Sequence, residues 1–175
     1  MSKRFWLLKT EPDCYAWSDL ERDGRTVWDG VANNVALKYL REMQPGDEAL
    51  IYHTGDERCA VGRAEVISAP YPDPQHNDPR MVVVDIRPLA PLPRPVSLTA
   101  IKSDPAFADF ALVRQSRLSV VPVTEAHWRR LLAMAGMEGD AVDHPCSTAI
   151  PTRPASEVNV ARAASDVKPQ ASRVK

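Results

Sequence analysis

The chain has 175 residues, 44% of them hydrophobic and 26% charged, with 22 basic and 23 acidic residues and a formal net charge of −1. That length suits one domain able to bury a core. The near-neutral balance excludes a protein that grips duplex DNA through a global positive field, so any nucleic-acid contact has to be local.

Residues 4–9 (Arg-Phe-Trp-Leu-Leu-Lys) read as a buried opening strand. Lys9 and Glu11 cut the apolar patch off too early for a signal-peptide core, and no run approaches the roughly 20 apolar residues of a membrane span. The expectation is a cytoplasmic chain with no membrane partner. Ser18-Asp19-Leu20-Glu21 has capping-box spacing and predicts a helix start. Asn33 or Asn34 can cap a second helix whose apolar face is Val35, Tyr39, Leu40 and Met43. Pro45-Gly46-Asp47 then turns the chain. Glu48–His53 and Cys59–Ala69 are β-rich runs joined by Thr54-Gly55-Asp56-Glu57, a pattern that predicts a hairpin.

Residues 70–80, with four prolines, predict a surface loop, and Met81–Leu89 is the clearest strand. Pro91, Pro93 and Pro95 predict a stiff connector, Ser97–Lys102 a short helix and Leu118–Val123 a late strand. Thr124 caps a last helix with Trp128, Leu131, Leu132 and Ala135 on one face, ended by Gly136. All eleven aromatic residues lie between Phe5 and Trp128. Beyond Gly136 no periodic apolar face offsets the entropy of ordering. The expected organisation is therefore one domain over 1–136 and a largely disordered tail over 137–175. Strands and short helices without a βαβ repeat predict a mixed α/β (α+β) fold built on a curved sheet or partly open barrel.

Cys14, Cys59 and Cys146 are odd in number and widely spaced, and the four histidines are scattered, which supports neither a disulfide framework nor a metal site. Phosphate-loop, dinucleotide, hydrolase-elbow and zinc signatures are missing. No cofactor or metal is expected.

Three segments place polar groups beside apolar or aromatic ones: Lys9-Thr10-Glu11-Pro12, Trp28-Asp29-Gly30-Val31-Ala32-Asn33 and Arg114-Gln115-Ser116-Arg117-Leu118-Ser119. A nucleobase pocket needs a π-face to stack on and fixed donors and acceptors for the base edge, with cations for flanking phosphates. Spacing alone leaves Trp28 open between a stacking wall and a core aromatic. It leaves Arg114 and Arg117 open between phosphate contacts and solvated side chains.

Those segments, with Phe5–Pro12, Tyr52-His53-Thr54-Gly55, Val61–Val66 and Tyr71-Pro72-Asp73-Pro74 in the same order, resemble the EVE domain family over residues 4–136. The resemblance implies a PUA-like fold, similar to the YTH and ASCH modules, that binds modified bases, particularly modified cytosine in DNA or a modified base in RNA. It implies a base pocket with Trp28 as stacking wall and Asp29, Val31 and Asn33 beside it. Tyr52 and His53 would close one side, and Gln115, Ser116, Leu118 and Ser119 would supply base-edge contacts and floor. Lys9, Arg114 and Arg117 would face phosphate. Ala32 stands where relatives often carry arginine, and Thr54 where serine is frequent. The rival readings are an ASCH-like hydrolase of modified nucleosides, using Lys9, Thr10 and Glu11, and a protein-interaction module. Strand alternation sets Thr10 on the face opposite Lys9 and Glu11 and disfavours the hydrolase.

Overall fold

The structure, a computed structural model, describes residues 2–137. Seven strands form one curled sheet: β1 (Phe5–Thr10), β2 (Thr26–Trp28), β3 (Glu48–His53), β4 (Cys59–Val66), β5 (Tyr71–Pro72), β6 (Val82–Ser97) and β7 (Val120–Val123). Their order is β2-β6-β4-β3-β1-β7, with β5 paired to β6. β1 and β3 run parallel and the other pairs antiparallel. The mixed α/β, PUA-like architecture expected from the sequence is the one observed.

Several local signals act as read. The Asn33 side chain accepts from the Val35 and Ala36 amides and starts α2 (Asn34–Glu42). Ser97 caps α3 (Leu98–Ser103) through the Ala100 amide. Thr124 caps α5 (Glu125–Met134) through the His127 amide. Asp47 fixes the turn before β3: buried at 3% exposure, its carboxylate accepts from the backbone of Arg4 and Gln44 and from Trp6 Nε1.

Other readings are corrected. Helix α1 (Trp17–Asp23) starts at Ala16, not Ser18; the Asp19 carboxylate accepts from the Ala16 amide at 2.8 Å, and Ser18 lies inside the helix, exposed. On α2 the buried residues are Ala36, Leu37 and Leu40, and Val35 is 46% exposed. The proline stretch is no connector, because β6 continues through it to Ser97. Prolines two apart place their missing N–H groups on one edge of a strand, which leaves the other edge free to pair. The late strand begins at Val120, and the expected loop over 70–80 contains β5. Met137 belongs with the folded part: its amide donates to the Leu132 carbonyl and its side chain packs on the core. The rest of the expected tail lies outside the described residues.

The sheet has two covered faces. Trp17 of α1 packs over Gly62, and Tyr39 of α2 meets Trp6 at 6.0 Å between ring centroids, so α1 and α2 cover the face of Trp6, Leu8 and Ile51. On the other face Phe5 stacks on Trp128 of α5 at 4.5 Å and 21°.

Candidate nucleic-acid interface

Across strands β3, β1 and the approach to β7 lies a row of three buried polar residues. Lys9 is in register with Tyr52, and its amide donates to the Ser119 carbonyl at 3.0 Å. Cross-strand partners share a face, so Lys9, Tyr52 and Ser119 point to the α5 side. They are 6%, 3% and 6% exposed. Lys9 Nζ donates to the Ser116 carbonyl at 2.8 Å. Among the described residues no carboxylate pairs with it, and burial pulls its pKa down. Neither the Tyr52 nor the Ser119 hydroxyl has a hydrogen-bond partner among the described residues, yet the fully enclosed orphan there is Trp17 Nε1. Both hydroxyls therefore keep a path to solvent. Burial, then the nearby Cys59, pushes the Tyr52 phenol up to about 12.

The segment entering β7 supplies the carbonyl that holds Lys9. Its helix α4 (Ala111–Arg114) ends at Gln115; Gln115, Ser116 and Arg117 are exposed, whereas Leu118 is a core residue. Arg114 is also exposed and donates from Nε to the Ala108 carbonyl. The phosphate role expected for Lys9 needs correction: its ammonium is an internal brace, whereas Arg114 and Arg117 reach solvent.

His53 is also corrected. It follows Tyr52 on β3 and so points to the opposite face, where Nε2 accepts the Trp17 backbone N–H at 3.0 Å. That bond leaves the ring proton on Nδ1, which donates to Glu57 at 2.5 Å. Both ring nitrogens are committed to the fold, and neither is free for a base edge. The Thr10 hydroxyl donates to the Tyr15 carbonyl at 2.8 Å. Lys9, Thr10 and Glu11 thus form no nucleophile–base pair.

The Trp28 segment divides in the same way. The Trp28 ring is 6% exposed and Val31 2%, both within the core cluster, and Asn33 is committed to capping α2. Register links Trp28 through Val84, Ile86, Val66, Ala64 and Ala49 to the face of Ile51. This is the face opposite Lys9, Tyr52 and Ser119. Asp29 is half-buried, and its carboxyl is shifted above its usual range, first by burial and then by the charge of Asp73.

Sequence reasoning assigned no role to Asp73 and His76. Asp73 is 4% exposed, with its carboxylate held by the Gln75 amide at 2.8 Å and His76 Nδ1 at 2.7 Å. The spacing of Asp73 and His76, three apart after a proline, was the available signal. A groove of about 710 Å³ lined by Asp109, His127, Arg129 and Arg130 contains none of the expected site residues.

The family model for the EVE domain matches residues 4–134. The chain belongs to the EVE domain family. A Rhodopseudomonas palustris protein solved by NMR is similar to this EVE domain at 39% identity and a TM-score of 0.74, covering 77% of this chain and 94% of its own. Human THYN1, solved in complex with DNA containing 5-methylcytosine, is 26% identical with a TM-score of 0.69, covering 76% and 98%. Thymocyte nuclear protein 1 of Rattus norvegicus is 26% identical over 168 residues, covering 77% of this chain and 74% of the relative.

Proposed function

We propose that this EVE domain binds nucleic acid carrying a modified base, with a modified cytosine in DNA as the preferred ligand. The carrying observation is the likeness over most of both chains to human THYN1, solved with 5-methylcytosine DNA. Half-buried Asp29 next to Trp28 supplies polar chemistry for a base edge. Gln115 and Ser116 are exposed for further contacts. Arg114 and Arg117 take phosphate. The Trp28 ring is enclosed, so it contributes at most an edge or rim to the base site.

Extruding a base costs a few kcal/mol and stacking returns about 1–3 kcal/mol. Binding is therefore expected to favour single-stranded or mispaired sites. Fluorescence anisotropy with matched DNA and RNA oligonucleotides, each with cytosine or 5-methylcytosine at one position, tests the reading. Preference for the methylated DNA supports it. Equal affinity for all, or none, overturns it in favour of a protein-interaction module.

A further inference from the structure

The parallel pair β1 and β3 stops at one end of the sheet, and the strands beside it begin there. Leu8 faces Val120, the first residue of β7, and His53 faces Cys59, the first residue of β4. Arg58 is the residue before β4, and Arg117 stands just ahead of β7. The order β4-β3-β1-β7 sets these two arginines three strand spacings apart, roughly 14 Å. Between them lies the row of Lys9, Tyr52 and Ser119, an ammonium and two hydroxyls with no acid among them.

Arg58 is unusual in backbone and in charge. Its φ of 44° is the one positive value at a non-glycine among the described residues. That left-handed conformation suits glycine and strains a residue with a Cβ. The turn holds it there: the Arg58 carbonyl accepts from the Leu98 amide at 2.8 Å, and its Nε donates to the Gly55 carbonyl at 3.0 Å. The side chain is exposed, and among the described residues its terminal nitrogens have no hydrogen bond or ion pair. Of the acids in the same turn, Glu57 bonds His53, and Asp56 pairs with no cation among the described residues. Arg22, Arg25, Arg80, Arg87 and Arg130, by contrast, each hold a carboxylate. The Arg58 charge also reaches the row beside it: burial, then Cys59, push the Tyr52 phenol up, and Arg58 works against them. Folding alone gives no reason for arginine at this position. Glycine would fit the backbone without strain, and the guanidinium has no carboxylate to hold.

We propose that Arg58 takes a backbone phosphate, and that a bound single strand crosses the ends of β1 and β3 from Arg117 to Arg58. This rests on the nucleic-acid reading above and adds a contact on the far side of the sheet end. A stacked strand carries a phosphate about every 3.4 Å, so the span matches about four nucleotides. Contacts of this kind fix the register of the strand and leave the choice of base to other groups. They also fit a chain of near-neutral charge, because the cations that matter are few and local.

The test is anisotropy of the full chain with single-stranded DNA longer than this span, bearing cytosine or 5-methylcytosine at one position, at three salt concentrations. Arg58→Ala should make the slope of log affinity against log salt shallower by about 0.7 and weaken both strands by the same factor. Removing Arg58 and Arg117 together should take about 1.4 off the slope. Arg58→Lys keeps the charge and should keep the slope. Arg58→Gly should bind like the alanine variant yet melt at or above the wild-type temperature, because it relieves the backbone. It carries the test if the alanine variant does not fold. An Arg58→Ala slope equal to wild type, an Arg58→Gly variant with wild-type affinity, or a loss confined to the methylated strand overturns the phosphate contact. Base reading stands in each case if the wild type still prefers the methylated strand. A wild type that binds both strands equally, with a slope that still depends on Arg58, overturns the base reading instead. No binding of single-stranded DNA overturns both.

Discussion

The indole of Trp17 occupies the space that a side chain at Gly62 would need: a Cβ there would fall inside contact distance of three ring atoms. Gly62 is in register with Ile51 in mid-sheet, so the glycine is what lets α1 lie directly on the strands. Gly62→Ala is expected to push Trp17 off the sheet and destabilise the domain by about 1–3 kcal/mol, the usual cost of overpacking. Urea unfolding followed by tryptophan fluorescence reads this as a lower midpoint with an unchanged slope. An unchanged midpoint would mean that the ring yields freely.

His53 ties the same helix to β3 through the Trp17 amide and to the following turn through Glu57. Its removal leaves a buried backbone N–H unpaired, at a cost of about 1–3 kcal/mol. His53→Ala should therefore lower stability and speed hydrogen exchange at the Trp17 amide before the sheet amides. Weaker DNA binding with full stability would instead restore His53 to the base site.

Tyr15, Tyr52 and Tyr71 each have a phenol pushed up to about 12, burial being the first cause in all three. In the unfolded chain these groups ionise near the ordinary value of 10.0. Raised folded values mean that stability is whole below pH 10.0 and declines as pH rises toward about 12. Tyrosinate absorbance should show these groups titrating late, with denaturant midpoints falling over the same window. Ordinary ionisation near 10 without unfolding would contradict the burial.

Burial alone pulls the Lys9 ammonium below its usual pKa of 10.5. The unfolded chain then holds the proton more tightly than the native one, so this group's effect on stability improves as pH rises through the lowered value toward 10.5. Lys9→Met removes the titration. The difference in melting temperature between wild type and Lys9→Met should shift in favour of the wild type between neutral pH and about pH 10. A pH-independent difference would place the ammonium in water.

Caps and turns were legible because they are written in contiguous residues: Asn33 and Thr124 each cap the helix expected of them, and the short helix expected from Ser97 forms with Ser97 as its cap. Met81–Leu89 was legible as a strand, but its continuation past Pro91 depended on β4 lying alongside, which no local pattern records. The site suffered most from this limit. Motif order joined Trp28 with Tyr52 and Ser119, but strand register, fixed by long-range pairing, sends them to opposite faces. Lys9 read as a surface cation because the carbonyl that buries it belongs to Ser116, far along the chain.

Arg117 separates backbone contact from base reading. It is exposed, and among the described residues its side chain has no hydrogen bond or ion pair; Arg114 spends one donor on the Ala108 carbonyl. A free guanidinium can pair fully with a phosphate, and such a contact carries no base information. Each phosphate neutralised on single-stranded DNA contributes about −0.7 to the slope of log affinity against log salt. Arg117→Ala should thus make the slope shallower by about 0.7 and weaken methylated and unmethylated strands by the same factor. Arg114→Ala should act in the same direction but less. Anisotropy titrations at three salt concentrations on both strands decide the matter. A slope left unchanged by Arg117→Ala removes it from the phosphate path, and a loss confined to the methylated strand makes it a base contact instead.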